Sequence, residues 1–142
     1  MTHRLAPPGG WPPPDRAELA GATVSLPALA AEVADRYFEV HPEDLERYGD
    51  VAREWELHDT QHLLNWAIGD VEGHVDLQEQ VAWLAGILEA RDFPLEHLAS
   101  NLELAASVMG DKVEGGAPVA ERLRAGAALI RERRTFLPPP PA

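Results

Sequence analysis

Thirteen prolines decide most of what this chain of 142 residues can fold into, because of where they stand. Nine crowd the two ends, as Pro7, Pro8, Pro12, Pro13 and Pro14 and then Pro138 to Pro141. Proline fixes φ and lacks an N–H, so neither end can join a helix interior or a sheet ladder. Residues 1–24 and 137–142 therefore read as disordered, Pro-rich tails with polyproline-like stretches. The other four, Pro27, Pro42, Pro94 and Pro118, stand at the heads of helical segments, where the missing N–H has no partner to lose.

Between the tails, residues 25–136 carry helical punctuation. Ser25 can cap a helix beginning at Leu26, with Leu29, Ala30, Val33, Tyr37 and Phe38 following a 3.6 period. Pro42 opens a short acidic turn of helix that ends at Gly49. Asp50 can cap a long helix from Val51 to Ile68, stopped by Gly69. A helix from about Val75 to Arg91 follows, then one from Pro94 to about Met109 closed by Gly110, then one from Pro118 to about Arg134. No segment is expected to alternate with period two. The fold class is all-α, a single antiparallel bundle of about five helices with disordered Pro-rich termini.

Charge removes several function classes. Twelve bases face 24 acids, a net charge of −12, and residues 25–112 hold 19 acids against 5 bases. Such a surface repels phosphate, so neither nucleic acid nor an anionic membrane is expected as a partner. The absence of cysteine excludes disulfides, thiolate metal sites and thioether-linked tetrapyrroles. With no apolar span and no apolar leader region, a cytoplasmic location is expected. The last helix collects Arg122, Arg124, Arg131, Arg133 and Arg134. They can complement its dipole, or meet an acidic partner or the acidic body of a second copy.

One helix can carry chemistry. In VAREWELHDTQHLLNWAI, Val51, Trp55, His58, His62 and Trp66 fall within one sector of about 80°, while Leu57, Leu64 and Ile68 lie opposite. Glu54, at the edge of that sector, precedes His58 and His62 by successive steps of four. The imidazoles can be core residues bonded to carboxylates or carbonyls of neighbouring helices. Glu54, His58 and His62 can instead ligate a divalent metal, with help from Asp76, Glu79, Glu103, His74 or His97 on facing helices. A third reading stacks a tetrapyrrole or other flat cofactor on Trp55 or Trp66, with His58 or His62 as axial ligand. On the next helix, Trp83 lies off the main apolar stripe beside Ile87, so it either covers a side helix or marks a partner or dimer surface.

Two family resemblances bear on these residues. From Asp59 to Leu104 the chain shows D-x-x-H-L-x-x-x-A, then V-x-W-L-x-x-x-L-x-x-R, then L-x-x-x-L, carried by Asp59, His62, Leu63, Ala67, Val81, Trp83, Leu84, Leu88, Arg91, Leu98 and Leu102. This resembles the helical modules that accompany cobalamin-binding domains in bacterial sensor and regulator proteins. The chain lacks the βαβ sheet and D-x-H-x-x-G loop of the corrinoid-binding domain itself. The resemblance thus implies a stand-alone sensory or adaptor module, with His58 or His62 facing a corrinoid held by another chain. The His58–His62 pair also resembles the HxxxH of DinB-like metal-binding bundles, whose third histidine comes from an earlier helix. The upstream candidate here is His41, in the turn before Pro42. The leading expectation is a non-catalytic sensor or adaptor that binds a ligand, a protein partner or a second copy of itself. The alternative is a metal-binding bundle, with enzymatic activity in its scope.

Overall fold

The computed structural model describes residues 12–138. The tail expectations for residues 1–11 and 139–142 lie outside them.

The first difference from expectation is a hairpin within the segment assigned to a tail. Strand β1 (Arg16–Leu19) pairs antiparallel with β2 (Ala22–Ser25), in the register Ala17↔Val24 and Leu19↔Ala22. Ala20 and Gly21 join them with φ of 53° and 79°. Two successive positive φ values make a primed turn, whose twist matches that of paired strands. Leu19 and Leu26 plant the hairpin in the core, and the Leu26 N–H donates to Asp15 O at 2.9 Å.

Among the described residues six helices follow, where about five were expected: α1 (Leu26–Val40), α2 (Pro42–Tyr48), α3 (Val51–Glu72), α4 (Leu77–Ala90), α5 (Leu95–Lys112) and α6 (Ala117–Arg133). The molecule is therefore a helical bundle with one small two-stranded sheet. Ser25 caps α1 as expected, its Oγ accepting from the Ala28 N–H at 3.3 Å. Asp50 makes no side-chain cap on α3, whereas Asp76 caps α4 through the Glu79 N–H at 3.2 Å.

Gly69 does not stop α3, which runs one turn further to Gly73. Gly73 takes the left-handed conformation (φ 84°), and the next N–H, of His74, donates back to Gly69 O at 2.8 Å. Gly69 is small for another reason. A Cβ there would stand 2.8 Å from Val75 Cγ2, where the chain folds back over the helix.

The core joins Leu26, Ala30 and Val33 of α1 to Leu63, Leu64 and Ile68 of α3, Val81 and Leu84 of α4, Leu102 and Met109 of α5, and Leu123 and Ile130 of α6. α5 and α6 share the longest interface, and α3 touches every other helix, as a helix with two apolar faces must. Arg131 near the end of α6 holds Glu96 at the start of α5 (2.7 Å) and Glu103 one side over (2.7 Å), which fixes α5 and α6 as antiparallel. Arg122 pairs with Asp70 of α3 at 3.0 Å. The acidic body that these two arginines meet is their own. Beyond α6, Phe136 returns to the core, its N–H donating to Glu89 at 2.7 Å. Among the described residues, no helix is long and apolar enough to cross a membrane.

Candidate functional site

The core-facing line of α3 contains residues that belong on a surface. Ala52, Glu56 and Thr60 are one step of four apart and buried, and Leu63 and Ala67 continue the same face. A carboxyl in that position needs partners. Thr60 Oγ1 donates to Glu56 Oε2 at 3.0 Å, and Asn101 Nδ2 on α5 donates to Thr60 Oγ1 at 3.0 Å. Burial pushes the Glu56 carboxyl well above the usual carboxylate range; the Thr60 hydrogen bond opposes this, and the charges of Asp59 and Asp44 add to it.

This chain of polar groups borders a cavity of about 150 Å³ between α1, α2, α3, α5 and the α4–α5 connection. Phe38, Tyr48, Trp55 and Phe93 give it an aromatic side, with Leu88 and Leu98 beside them. The Tyr48 ring stands 5.8 Å from Trp55 and 5.9 Å from Phe93. Two buried polar atoms of lining residues have no hydrogen-bond partner among the described residues, Tyr48 Oη and Asn101 Oδ1. Arg91 and Asp59 complete the rim. Burial pushes the Asp59 carboxyl up to about 6, against the pull of His58, whose Nδ1 lies 3.2 Å away, and of Arg91.

Beside the cavity, where α1 passes into α2, lies a histidine pair. His41 ends α1 and His97 sits in the first turn of α5, their rings 4.1 Å apart. His41 Nε2 is 2.9 Å from Ser100 Oγ, and His97 Nδ1 is 3.0 Å from the buried Asp44 carboxylate, to which the Tyr37 hydroxyl also donates. Burial, followed by the Asp44 contact, raises the Tyr37 pKa. The remaining nitrogens both face Glu43: His41 Nδ1 at 3.3 Å and His97 Nε2 at 3.6 Å from the same oxygen. Among the described residues, His41, Glu43 and His97 are the three whose ligand atoms converge, all within 4.8 Å.

The residues singled out from sequence divide. Trp55 lines the cavity. His58 reaches it through Asp59. His62 and Trp66 continue away along a ladder of rings: His58 to His62 at 4.7 Å edge-on, His62 to Trp66 at 5.3 Å stacked, Trp66 to Trp83 at 6.4 Å edge-on. This face is half-buried rather than deep, and Glu54 at its edge is exposed. Trp83 both packs and shows, with one edge against Trp66 and 47 % of its surface exposed.

Sequence reasoning passed over Glu56, Asn101, Tyr48 and Glu43. The signal for Glu56 and Thr60 was present, because they fall in line with Leu63 and Ala67. No protein-family model, curated protein or solved structure matches the chain, so the function of the cavity has to be read from its own walls.

Proposed function

We propose that the chain is a helical ligand-binding module, a sensor or adaptor domain, and that its ligand is a compact organic amine. One observation carries this: an acceptor without a partner, Asn101 Oδ1, and a carboxyl whose pKa burial raises, Glu56, border the same space. An ammonium group donates to both and favours the ionised form of Glu56 as its counter-charge. Aromatic faces favour a cation within about 6 Å of the ring centroid. Asp59 adds a second acid, partly offset by Arg91. The volume sets the size, since a cavity of ~150 Å³ accommodates a molecule on the scale of benzene. A tetrapyrrole or corrinoid is far too large for this space. It would have to lie outside, against the His58–His62–Trp66 ladder, and be held by a partner.

The test is a panel of small amines and their neutral isosteres, followed by thermal shift and calorimetry. The expected result is that amines bind, isosteres do not, and binding releases protons to the buffer. Glu56→Gln should weaken the amine at least about tenfold, on the scale of one charge-assisted hydrogen bond, and the exposed Glu54→Gln should leave it unchanged. Equal binding of amine and neutral isostere, or no binding by any member of the panel, would refute the reading.

A further inference from the structure

We propose that His41, Glu43 and His97 form a binding site for a divalent transition ion of the zinc class, independent of the amine reading of the cavity. The ligand set is two imidazoles and a carboxylate, the chemistry that suits Zn²⁺ and its neighbours rather than Mg²⁺ or Ca²⁺.

The geometry is close to what such an ion needs. Bonds of about 2.0–2.1 Å in a tetrahedral site place neighbouring ligand atoms roughly 3.3 Å apart. Glu43 Oε1 stands 3.3 Å from His41 Nδ1 and 3.6 Å from His97 Nε2, so two of the three edges already have that length. The three ligand atoms all lie within 4.8 Å of one another.

The outer contacts are those that metal-bound histidines carry. A ligating imidazole almost always engages its other nitrogen with a carboxylate, carbonyl or similar group, which fixes ring and tautomer. Here His97 Nδ1 is held by Asp44, itself held by Tyr37, and His41 Nε2 is held by Ser100. Each ring is thus oriented by groups on the inner side, and its other nitrogen is turned toward Glu43. The rings are mostly buried, at 12 % and 18 % exposed, while Glu43 is 54 % exposed, so the site opens to solvent on one side. That leaves a fourth position for water or for a ligand atom. Because His97 and Asp44 also line the cavity, an ion here would stand beside the proposed amine site.

The protein to test is the full chain, purified without a histidine tag and stripped with chelator. Titration with Co²⁺ is expected to give one visible d–d absorption band per chain, removed by one equivalent of Zn²⁺, and Zn²⁺ should raise the melting temperature. Mg²⁺ should do neither. Glu43→Gln, at an exposed position that the fold does not depend on, and His97→Ala should each abolish the band. Asp44→Asn, which acts through His97, should weaken Zn²⁺ by about 10- to 100-fold. His58→Ala and His62→Ala should leave the titration unchanged. The proposal is overturned if wild-type protein shows neither the cobalt band nor a zinc-induced melting shift. It is also overturned if the band survives in Glu43→Gln and disappears in His58→Ala or His62→Ala, which would put the ion on the other pair.

Discussion

Replacing Asp59 with asparagine should make the protein more stable at neutral pH and leave it unchanged in acid. The side chain is nearly enclosed, with its carboxyl pushed from 3.8 up to about 6, chiefly by burial. A carboxyl whose pKa is higher in the fold than in the unfolded chain binds its proton more tightly when folded. It therefore favours the fold on the acid side, fully below about pH 4, and that contribution is lost as pH climbs through about 6. A pKa carried from 3.8 to about 6 corresponds to about 3 kcal/mol. For a chain of this length that is roughly 10 °C of melting temperature. Asparagine has nearly the same shape, and its carbonyl can still face His58 Nδ1, which lies 3.2 Å from Asp59 Oδ1. The variant should thus match the wild type near pH 4 and exceed it by about 3 kcal/mol at pH 7. Urea unfolding followed by tryptophan fluorescence, at several pH values between those limits, measures the difference directly. Glu56→Gln should act in the same direction and carry the decline to higher pH, since burial raises its carboxyl well above the ordinary range. An Asp59→Asn protein less stable than wild type at pH 7 would refute the reasoning. It would mean that His58 and Arg91 make the buried carboxylate favourable on balance.

Three further substitutions test the packing around the site. Tyr48→Phe removes a buried hydroxyl without a partner; urea midpoints should show a gain of about 1 kcal/mol instead of the usual loss. Asp70→Ala removes two contacts together, the acceptor for the Leu77 N–H at 2.7 Å and the ion pair with Arg122 at 3.0 Å. Because Arg122 is 41 % exposed, most of the expected loss of about 1–2 kcal/mol comes from the Leu77 N–H left without its acceptor at the start of α4, and it should persist in high salt. Arg131→Ala breaks the pairs with Glu96 and Glu103 at the surface; it should cost under about 1 kcal/mol at low salt and less as salt is added.

The helices were legible because their ends are written in residues with one physical meaning. Pro27, Pro42 and Pro118 stand in first helical turns, Pro94 just precedes one, and Ser25 caps where it should. The hairpin was hidden for an equally local reason. A primed turn usually announces itself with Asn-Gly or Asp-Gly. Here Ala20 occupies the first positive-φ position, where its Cβ gives no help, and strands of four residues leave little period to detect. Gly69 misled because glycine ends helices by adopting positive φ, but it also sits inside them where another segment comes close, and sequence does not distinguish the two.

The site was harder to read, because its chemistry comes from residues whose local pattern and burial disagree. Histidines and tryptophans drew attention on α3, yet that face is half-buried, and the deep polar residues are a glutamate and a threonine that look like surface. Their partners come from elsewhere: Asn101 is 41 positions from Thr60, and His97 is 53 from Asp44. No spacing rule on one helix brings such pairs together, since only the tertiary packing that sets α5 beside α2 and α3 does so. A buried carboxyl with one hydroxyl donor and a buried amide oxygen with none make the fold less stable than an apolar core of the same shape would. A ligand that satisfies them gains what the fold forgoes. That is the physical reason to place recognition at Glu56 and Asn101 rather than along the more conspicuous ladder of rings. It also requires that Glu56→Gln, which stabilises the free protein, weaken its hold on an amine.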